Sequence, residues 1–368
     1  MLRRPRSGPV QAALETALAK LSETFTDSGF ATMDVPHLFL GDTLLDLYGE
    51  DLRARAFLFP DAERDNELCL RPDFTVPVAL AHGAAGWTHT AAYSYSGPVF
   101  RRQPQGLGRP TEYMQAGVEL FGETDTIAAD ARVFALLYRG LCALGMTGIE
   151  THIGDLSIPF ALLDVLDMPD RRRAALRRHF WRPARFQTLI ERACRPEPLS
   201  TTRARLLAGP ATASFGEALG LRDAQEILDR LSDLADEAVD APMPRADADL
   251  IGAVLALECP ATEAPARLRQ LVGHSGISPV IERLEARLDA FAAEGLDPAG
   301  MLFDANFGRN LEYYDGFVFE MRALGAVEHP PLAGGGRYDA LTAKLGSATE
   351  IPAIGGIIRP ESVLEVAQ

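Results

Sequence analysis

Polar residues able to hold a small charged ligand are concentrated in three parts of the chain. They are residues 70–75, residues 100–122, and residues 308–320 together with 333–339, each with arginine, carboxylate or tyrosine side chains. The apolar patterns around them predict the interior of a β-sheet, where a buried polar group needs a partner. The residue types suit a ligand that carries both N–H donors and an acid group.

Glu119 is the most demanding of these residues. Gln115, Gly117 and Glu119 share one face of a predicted strand because side chains alternate with a period of two. Glu119 stands between Val118 and Leu120, and a carboxylate in an apolar strand needs a donor. Two interpretations remain open: a buried ion pair, or an acceptor for a ligand donor such as an imidazole N–H.

Arginines and glycines supply the other candidate groups. Arg101 and Arg309 are suited to bidentate capture of a carboxylate or a phosphate. The glycine run 334–336 lacks the Lys-Ser/Thr pair of a phosphate-binding loop. Its local sequence fits two structures equally, close backbone packing beside a ligand or a plain tight turn.

A sheet with flanking helices is needed to bring these residues together. Helical spacing predicts helices over residues 9–25, 127–144 and 278–293, with others starting near 75 and 360. Strands are predicted over residues 30–35, 68–70, 91–101, 112–121, 148–153, 300–304, 316–322 and 352–358. The strands at 91–101 and 112–121 form an antiparallel hairpin with a long Gly/Pro-rich loop at 103–110.

This pattern predicts an α+β domain on an antiparallel sheet. A stretch rich in Ala, Leu, Arg and Pro interrupts it and is predicted to be a mostly helical insertion over residues 170–265. The core domain is then expected to combine residues 1–169 with 266–368.

The composition limits the classes of function. The 368-residue chain has a formal net charge of -15, which disfavours binding to phosphate backbones. The four cysteines and seven histidines are scattered, so we expect neither a metal site nor a disulfide framework. No segment has the pattern of a membrane span or signal peptide, and we expect a cytoplasmic protein.

Residues 171–185 depart from the acidic balance. They carry seven arginines beside Phe180 and Trp181. Three interpretations remain open: a solvated helical face, a patch for a partner protein, or contact with nucleic acid.

The polar segments together resemble the catalytic domain of histidyl-tRNA synthetase, a class II aminoacyl-tRNA synthetase. Residues 95–122 resemble its motif 2, and residues 309–314 and 335–339 resemble its two histidine signatures. The first helix, the first strand and Pro36 resemble motif 1, the dimer-forming element. The resemblance covers most of residues 5–168 and 270–366, and it implies a class II synthetase-like antiparallel sheet flanked by helices.

The resemblance also implies a pocket for histidine. By it, Glu119 and Tyr314 would hold the imidazole, Asp73, Thr75 and Gln115 would hold the α-amino group, Arg309 would face the carboxylate, and Tyr313 would line the pocket. Arg101 of motif 2 completes the expected ligand-binding set. Asp73 stands where the synthetase pattern has Glu, and its side chain is one methylene shorter.

Other positions depart from the synthetase pattern. Motif 3 ends in an arginine that grips ATP phosphates, but Ser362 occupies that place and Arg359 stands three residues earlier. The Arg-x-Glu of motif 2 is Arg101-Arg102-Gln103 here. Activation of ATP needs charge on the phosphates in the transition state, so we expect no catalytic residues. The sequence ends at Gln368, and we expect no anticodon-binding domain.

A domain that keeps the histidine pocket but alters the activation residues resembles one branch of this family, the regulatory subunits of ATP phosphoribosyltransferase. The resemblance implies a non-catalytic subunit without a cofactor, paired with a short-form catalytic subunit. It would dimerise within a hetero-oligomer and mediate feedback inhibition of histidine biosynthesis by free histidine. The alternative is a stand-alone histidine-adenylating ligase, and a tRNA-binding module is expected least.

Overall fold

The computed structural model describes residues 3, 5–41, 54–62, 66–87, 89–103, 110–195, 201, 204, 235, 240–273, 276–308, 313–326 and 329–367. The chain divides into two compact units. The core unit is Met1–Ala161 with Val254–Gln368, and the inserted unit is Leu162–Ala253. Both boundaries of the inserted unit lie earlier in the chain than the predicted limits of 170 and 265.

The strands described in the core unit are as follows: β1 Ala31–Thr32, β2 Leu38–Leu40, β3 Phe57–Pro60, β4 Glu67–Leu70, β5 Ala91–Phe100, β6 Glu112–Phe121, β7 Ile149–Asp155, β8 Glu258–Pro260, β9 Met301–Asp304, β10 Phe317–Ala323, β11 Ala333–Arg337 and β12 Ala353–Ile358. Nine of them form one sheet in the order β1-β5-β6-β12-β11-β10-β7-β9-β8, and β2-β4-β3 form a second. The pairs β1–β5 and β7–β9 are parallel and the other pairs are antiparallel. The predicted antiparallel sheet and its β5–β6 hairpin are therefore confirmed.

The helices described are as follows: α1 Pro9–Asp27, α2 Thr75–Ala84, α3 Thr126–Ala143, α4 Ser157–Val165, α5 Asp170–His179, α6 Pro183–Cys194, α7 Arg245–Leu255, α8 Ala264–Val272, α9 Ser278–Ala293, α10 Asp339–Lys344 and α11 Pro360–Val366. Helix α1 has the predicted amphipathic spacing, and its apolar stripe, Leu14, Ala17, Leu21 and Phe25, is buried. Among the described residues, no helix has both the length and the apolar character needed to cross a bilayer.

The first predicted strand is much shorter than expected. The sequence predicted residues 30–35, but β1 covers only Ala31 and Thr32. The carbonyl of Val35 accepts a hydrogen bond from Nη1 of Arg71 at 2.7 Å. The buried side chain of Arg71 therefore binds this carbonyl in place of the backbone N–H of a neighbouring strand.

The glycine run 334–336 lies within β11, in the interior of the large sheet. It pairs with β10 on one side and β12 on the other. A Cβ on Gly335 would lie 2.2 Å from the carbonyl oxygen of Gly355. The tight-turn interpretation is therefore wrong, and the run exists because neighbouring backbones leave no room for side chains.

The inserted unit contains the arginine-rich residues 171–185. Several of these arginines have acidic partners: Arg171 and Arg172 pair with Asp240, Arg173 with Asp170, and Arg177 with Asp164. Phe180 is fully buried and packs edge-on against Trp181 and Phe186. Phe180 therefore belongs to the core of this unit and does not offer an exposed stacking surface.

Candidate functional site

The core unit contains a cavity of about 1100 Å³. This volume is at or above the upper end of the range of about 300–1,000 Å³ for small-molecule sites. Residues of α2, β6, β10, β11, β12 and α11 line it, and the N-terminal segment forms another part of its wall. Six of the eight predicted ligand-binding residues line the cavity: Asp73, Thr75, Arg101, Gln115, Tyr313 and Tyr314.

The lining of this cavity includes buried hydrogen-bond acceptors, and we call the part formed by Asp73, Thr75 and Gln115 its acceptor-rich end. Gln115 is 1% exposed, and its Oε1 has no hydrogen-bond partner among the described residues. Asp73 is also buried, and its Oδ2 lies 3.8 Å from Nη2 of Arg101. Nε of Arg101 donates to the carbonyl of Pro72 at 2.6 Å, which fixes the arginine beside the carboxylate. This end is therefore suited to a ligand that donates N–H groups.

The segment that carries Asp73 and Thr75 is held in place by Arg71. Nε of Arg71 donates to the carbonyl of Pro98 on β5 at 2.9 Å, and its guanidinium lies 4.0 Å from the ring centre of Phe74. Burial lowers the pKa of Arg71 to about 10, so the guanidinium remains charged at neutral pH. Arg71 was not among the predicted site residues, although an arginine between a predicted strand and Asp73 was a signal.

Glu119 lies behind the cavity wall. It is fully buried, and its Oε1 accepts hydrogen bonds from the hydroxyls of Thr75 and Tyr95, both at 2.9 Å. Its Oε2 accepts a hydrogen bond from the hydroxyl of Tyr338. Burial raises the pKa of Glu119 to about 7, and the three hydroxyl bonds oppose that shift. Of its partners, Thr75 lines the cavity.

Two glycines make this arrangement possible. A Cβ on Gly117 would lie 2.7 Å from the hydroxyl oxygen of Tyr95, and a Cβ on Gly355 would lie 1.6 Å from Oε2 of Glu119. Any side chain at either position would displace the groups around the carboxylate. The predicted shared face of Gln115, Gly117 and Glu119 on β6 is thus filled by one polar cluster.

Tyr313 and Tyr314 are held against the cavity by the residue that follows them. Their rings lie 4.6 Å apart, and both line the cavity. The carboxylate of Asp315 accepts hydrogen bonds from the backbone N–H of Asp339 at 3.2 Å and of Ala340 at 2.6 Å, at the start of α10. Burial raises the pKa of Asp315 to about 7.

A buried ion-pair network fixes β11 to the helices behind the sheet. Asp130 of α3 accepts hydrogen bonds from Nε of Arg287 at 2.8 Å and from Nε of Arg337 at 3.0 Å. Arg287 also donates to Asp155, and Arg337 also donates to Asp339. Arg337 immediately precedes Tyr338, whose hydroxyl binds Glu119. No local pattern of residues indicated this network.

The positions that depart from the synthetase pattern lie on the same cavity. Ser362 and Arg359 both line it, and Nη1 of Arg359 donates to the carbonyl of Pro331 at 2.6 Å. Gln103 also lines the cavity, and its Oε1 accepts a hydrogen bond from Nη2 of Arg55 at 3.3 Å. The amide at residue 103 is thus engaged with a side chain of the protein.

The structure brings most of the predicted site residues together. Glu119 is not among the residues that line the cavity and contacts it through Thr75. Arg309 lies outside the described residues. Tyr95 and Tyr338, which complete the polar cluster, were missed as ligands of Glu119 because strand register and long-range contacts place them there.

The sequence of this chain is similar to those of known proteins. The family model described as "Histidyl-tRNA synthetase" matches residues 7–242 and 217–363. A protein named ATP phosphoribosyltransferase regulatory subunit from Brucella anthropi is 35% identical over 341 residues, covering 88% of this chain and 89% of its own length. The protein of the same name from Brucella canis is 34% identical over 341 residues, which again cover 88% of this chain and 89% of its own length.

Solved structures give the same fold. An ATP phosphoribosyltransferase regulatory subunit/histidyl-tRNA synthetase from Bacillus halodurans C matches 100% of this chain and 82% of its own, with a TM-score of 0.73 and 21% identity. The match to a histidine--tRNA ligase subunit from Alicyclobacillus acidocaldarius covers 100% of this chain and 98% of that subunit, with a TM-score of 0.61 and 24% identity. The predicted class II synthetase-like fold is confirmed.

Proposed function

The chain belongs to the family of ATP phosphoribosyltransferase regulatory subunits, a branch of the histidyl-tRNA synthetase family, and from this premise we propose that it is a histidine sensor. Its curated relatives bear the name of a regulatory subunit. In this proposal the chain binds free histidine in the core-unit cavity and passes the signal to a short-form ATP phosphoribosyltransferase catalytic subunit. The proposed setting is the cytoplasm, at the first step of histidine biosynthesis.

The observation that carries the proposal is the acceptor-rich end of the cavity. The buried amide oxygen of Gln115 has no partner among the described residues, and leaving a buried acceptor unsatisfied costs free energy. With Asp73 and Thr75 beside the same cavity, an α-ammonium group would satisfy it. Tyr314 would contact the imidazole, and Glu119 would act on the ligand through Thr75. By the resemblance, Arg309 would face the ligand's carboxylate.

Other residues that line the cavity support a role without catalysis. Where the synthetase pattern has a phosphate-gripping arginine, this chain has Ser362. The nearby Arg359 is held by the carbonyl of Pro331, and Gln103 replaces a carboxylate. Loss of one such arginine removes charge stabilisation from phosphoryl chemistry. We therefore favour a subunit that binds histidine over a ligase that activates it.

Feedback then follows from linkage. Histidine inhibits the partner only if it binds more tightly to the inactive state of the complex than to the active state. A coupling of about tenfold in affinity corresponds to about 1.4 kcal/mol, which is typical for allosteric proteins.

We propose that the dimer forms through an apolar face of the β2-β4-β3 sheet. Directly paired residues point to the same side of a sheet, and the register aligns two apolar rows, Leu38–Leu70–Phe57 and Leu40–Leu68–Phe59. Leu38 and Leu40 are 47% and 46% exposed. The opposite face packs into the core through Cys69, Phe39 and Leu58. The face lies next along the chain from Pro36 of the motif 1-like segment.

Sedimentation equilibrium tests the dimer. Leu40→Lys should shift the chain toward monomer because a buried charge at an apolar interface is not compensated. Leu324→Lys is the matched control, since Leu324 is 71% exposed elsewhere on the core unit and should leave the mass unchanged. An unchanged dimer in Leu40→Lys would contradict this interface.

Two measurements test the sensor role. Titration calorimetry should detect histidine binding to the purified chain, and absence of binding at millimolar histidine would overturn the proposal. Reconstitution with a short-form catalytic subunit should give ATP- and phosphoribosyl pyrophosphate-dependent activity that histidine inhibits. Histidine-dependent ATP–pyrophosphate exchange by the chain alone would instead establish the ligase.

A further inference from the structure

The N-terminal segment forms part of the cavity wall through two arginines. We call its described residues, 3 and 5–7, the strap, which precedes α1. Arg3 and Arg6 both line the cavity. Nε of Arg3 donates to the carboxylate of Glu112 on β6 at 3.1 Å, and Arg6 forms an ion pair with Glu361 of α11. Two charged side chains therefore tie the strap to the rest of the core unit.

Glu361 joins the strap to the sheet. Strand β12 ends at Ile358 and the chain turns into α11, so Met114 of β6 lies beyond the last residue that β12 pairs with. The backbone N–H of Met114 donates instead to Oε2 of Glu361 at 2.8 Å. Oε1 of the same carboxylate pairs with Arg6. A single carboxylate thus connects β6, α11 and the strap, and it also lines the cavity.

Gly8 provides a point at which the strap can turn. Its φ of 57° and ψ of -133° lie in a region that glycine adopts far more readily than other residues, and a Cβ built there would have no heavy atom within 4 Å. Its carbonyl accepts a hydrogen bond from the N–H of Ala12 at 3.1 Å, at the start of α1. Pro5 and Ser7 are exposed. Rotation at Gly8 can therefore move the strap while α1 stays in place.

The two ion pairs hold the strap closed only weakly. The side chains of Arg6 and Glu361 are 15% and 21% exposed, and those of Arg3 and Glu112 are 30% and 37% exposed. Ion pairs near the surface contribute little, because water solvates the separated charges almost as well. Burial first, and then the charge of Arg3, lower the pKa of Arg6, so its guanidinium loses solvation when the strap is closed. An open strap is therefore close in free energy to the closed one.

We propose that the strap is a gate for the cavity, held closed by Glu361, and that the ligand enters and leaves when Arg6 separates from this carboxylate. The inference rests on the proposed function, since it takes histidine as the ligand. Arg6 and Glu361 both line the cavity, so their separation opens the wall between them. Neither residue belongs to the predicted histidine-binding set. The gate therefore controls the rates of binding and release and leaves the affinity unchanged.

Histidine exchange kinetics test the gate. Calorimetry gives the dissociation constant, NMR line shapes of the imidazole protons give the dissociation rate constant, and the two together give the association rate constant. In Glu361→Gln the amide oxygen still accepts from Met114, but the ion pair with Arg6 is lost. Both rate constants should rise about fivefold, the scale of one partly exposed ion pair, and the dissociation constant should not change.

Three further variants define the cause. Arg6→Gln should reproduce the rates of Glu361→Gln, and Arg6→Lys, which keeps the charge, should keep the wild-type rates. Glu285→Gln is the matched control, because it removes an ion pair with Arg269 on α8 and α9, and neither residue is among those that line the cavity. It should leave both rate constants unchanged.

Trypsin tests the strap without a ligand. It cleaves after an arginine only when that side chain is released, so the rate of cleavage at the Arg6–Ser7 bond follows the population of the open strap. Mass spectrometry identifies the bond that is cut. Cleavage there should be about fivefold faster in Glu361→Gln than in the wild-type chain, and unchanged in Glu285→Gln.

The outcomes separate this inference from the proposed function. A wild-type chain that binds no histidine overturns the proposed function, and equal cleavage in the wild-type chain and Glu361→Gln overturns the latched strap independently. Histidine binding with rate constants unchanged in Glu361→Gln, or with an altered dissociation constant, overturns the gate alone. If Glu361→Gln does not fold, Gly8→Ala, which disfavours the closed backbone conformation, replaces it, and unchanged rate constants in that variant overturn the gate.

Discussion

Asp130 and Glu119 are both fully buried in the core unit, but their charges are offset in opposite ways. Asp130 accepts hydrogen bonds from two arginines, Arg287 and Arg337, which also pair with Asp155 and Asp339. Glu119 accepts hydrogen bonds from hydroxyls and has no cation beside it among the described residues. We call the Asp130 network the complete centre, because its buried carboxylate is paired with arginines, and the Glu119 cluster the incomplete centre, because its carboxylate is not.

Under the proposed function, the difference separates a structural centre from one that lies beside the ligand. Charges buried in the interior are stable only when they are paired and hydrogen-bonded, and the Asp130 centre meets that condition in the free protein. The Glu119 centre keeps a raised pKa of about 7 because burial is only partly offset. A cationic group bound in the adjacent cavity would complete it, which couples ligand binding to the charge of Glu119.

The largest expected effect comes from breaking the complete centre. Asp130→Asn leaves the buried Arg287 and Arg337 without their shared carboxylate and should cost about 3–5 kcal/mol in the free energy of unfolding. Urea denaturation measures this cost. The control is Glu294→Gln, which removes an exposed pair with Arg139 at 3.1 Å and should cost less than about 1 kcal/mol. Equal costs would mean that the network contributes no more than a surface pair.

Because of the incomplete centre, the free energy of unfolding should decrease as the pH rises. The folded pKa of Glu119, about 7, lies above its ordinary value of 4.5, so between these values the folded state holds a proton that the unfolded state has lost. The contribution is present below pH 4.5 and is lost as pH rises through 7, by about 3 kcal/mol at most. In Glu119→Gln this dependence is absent. Urea denaturation of both chains at pH 5 and pH 8 measures it, and parallel changes would contradict it.

Local patterns predicted one of these centres better than the other. The alternation in residues 113–121 was enough to place Gln115 and Glu119 on one face of β6, because strand periodicity needs no knowledge of the partner. The resemblance supplied the roles of Asp73 and Thr75. The α+β class and the hairpin followed in the same way from elements whose signals are contained in their own residues.

The rest depends on contacts that are distant in sequence. Arg337 and Asp130 are 207 residues apart, and neither shows its partner in its own neighbourhood. The local sequence of the glycine run left close backbone packing and a tight turn equally open. The glycines are required by the neighbouring backbones of β10 and β12, which are not visible in the local sequence. Tyr338 is 219 residues away from Glu119. The local sequence therefore predicted that Glu119 needs a hydrogen-bond donor, but it could not identify that donor.

A smaller effect should appear at Gln115, and it separates binding from stability. Gln115→Met keeps the side-chain length and removes an acceptor that has no partner among the described residues. Histidine affinity should fall about tenfold, since a bond to a charged donor is lost, while the free energy of unfolding stays equal or rises. Calorimetry and urea denaturation measure the two quantities. A loss of stability with no loss of affinity would place Gln115 with the structural centre instead.

The smallest effect concerns Asp339, which is the outer carboxylate of the complete centre. It accepts hydrogen bonds from Arg337 at 2.9 Å and from the N–H of Ala353 at 2.8 Å, and its side chain is 25% exposed. Asp339→Asn keeps one acceptor and should cost about 1 kcal/mol or less.

Combining this change with Glu119→Gln tests whether the two centres act separately. Tyr338 connects them along the chain, but Asn at residue 339 keeps an acceptor for the N–H of Ala353, and the carbonyl of Ala353 still accepts a hydrogen bond from the N–H of Tyr338 at 2.9 Å. The free-energy changes of Asp339→Asn and Glu119→Gln should therefore add within about 0.5 kcal/mol. A larger coupling energy in urea denaturation would mean that the ion-pair network also sets the state of Glu119, and the structural centre would then be part of the histidine-reading one.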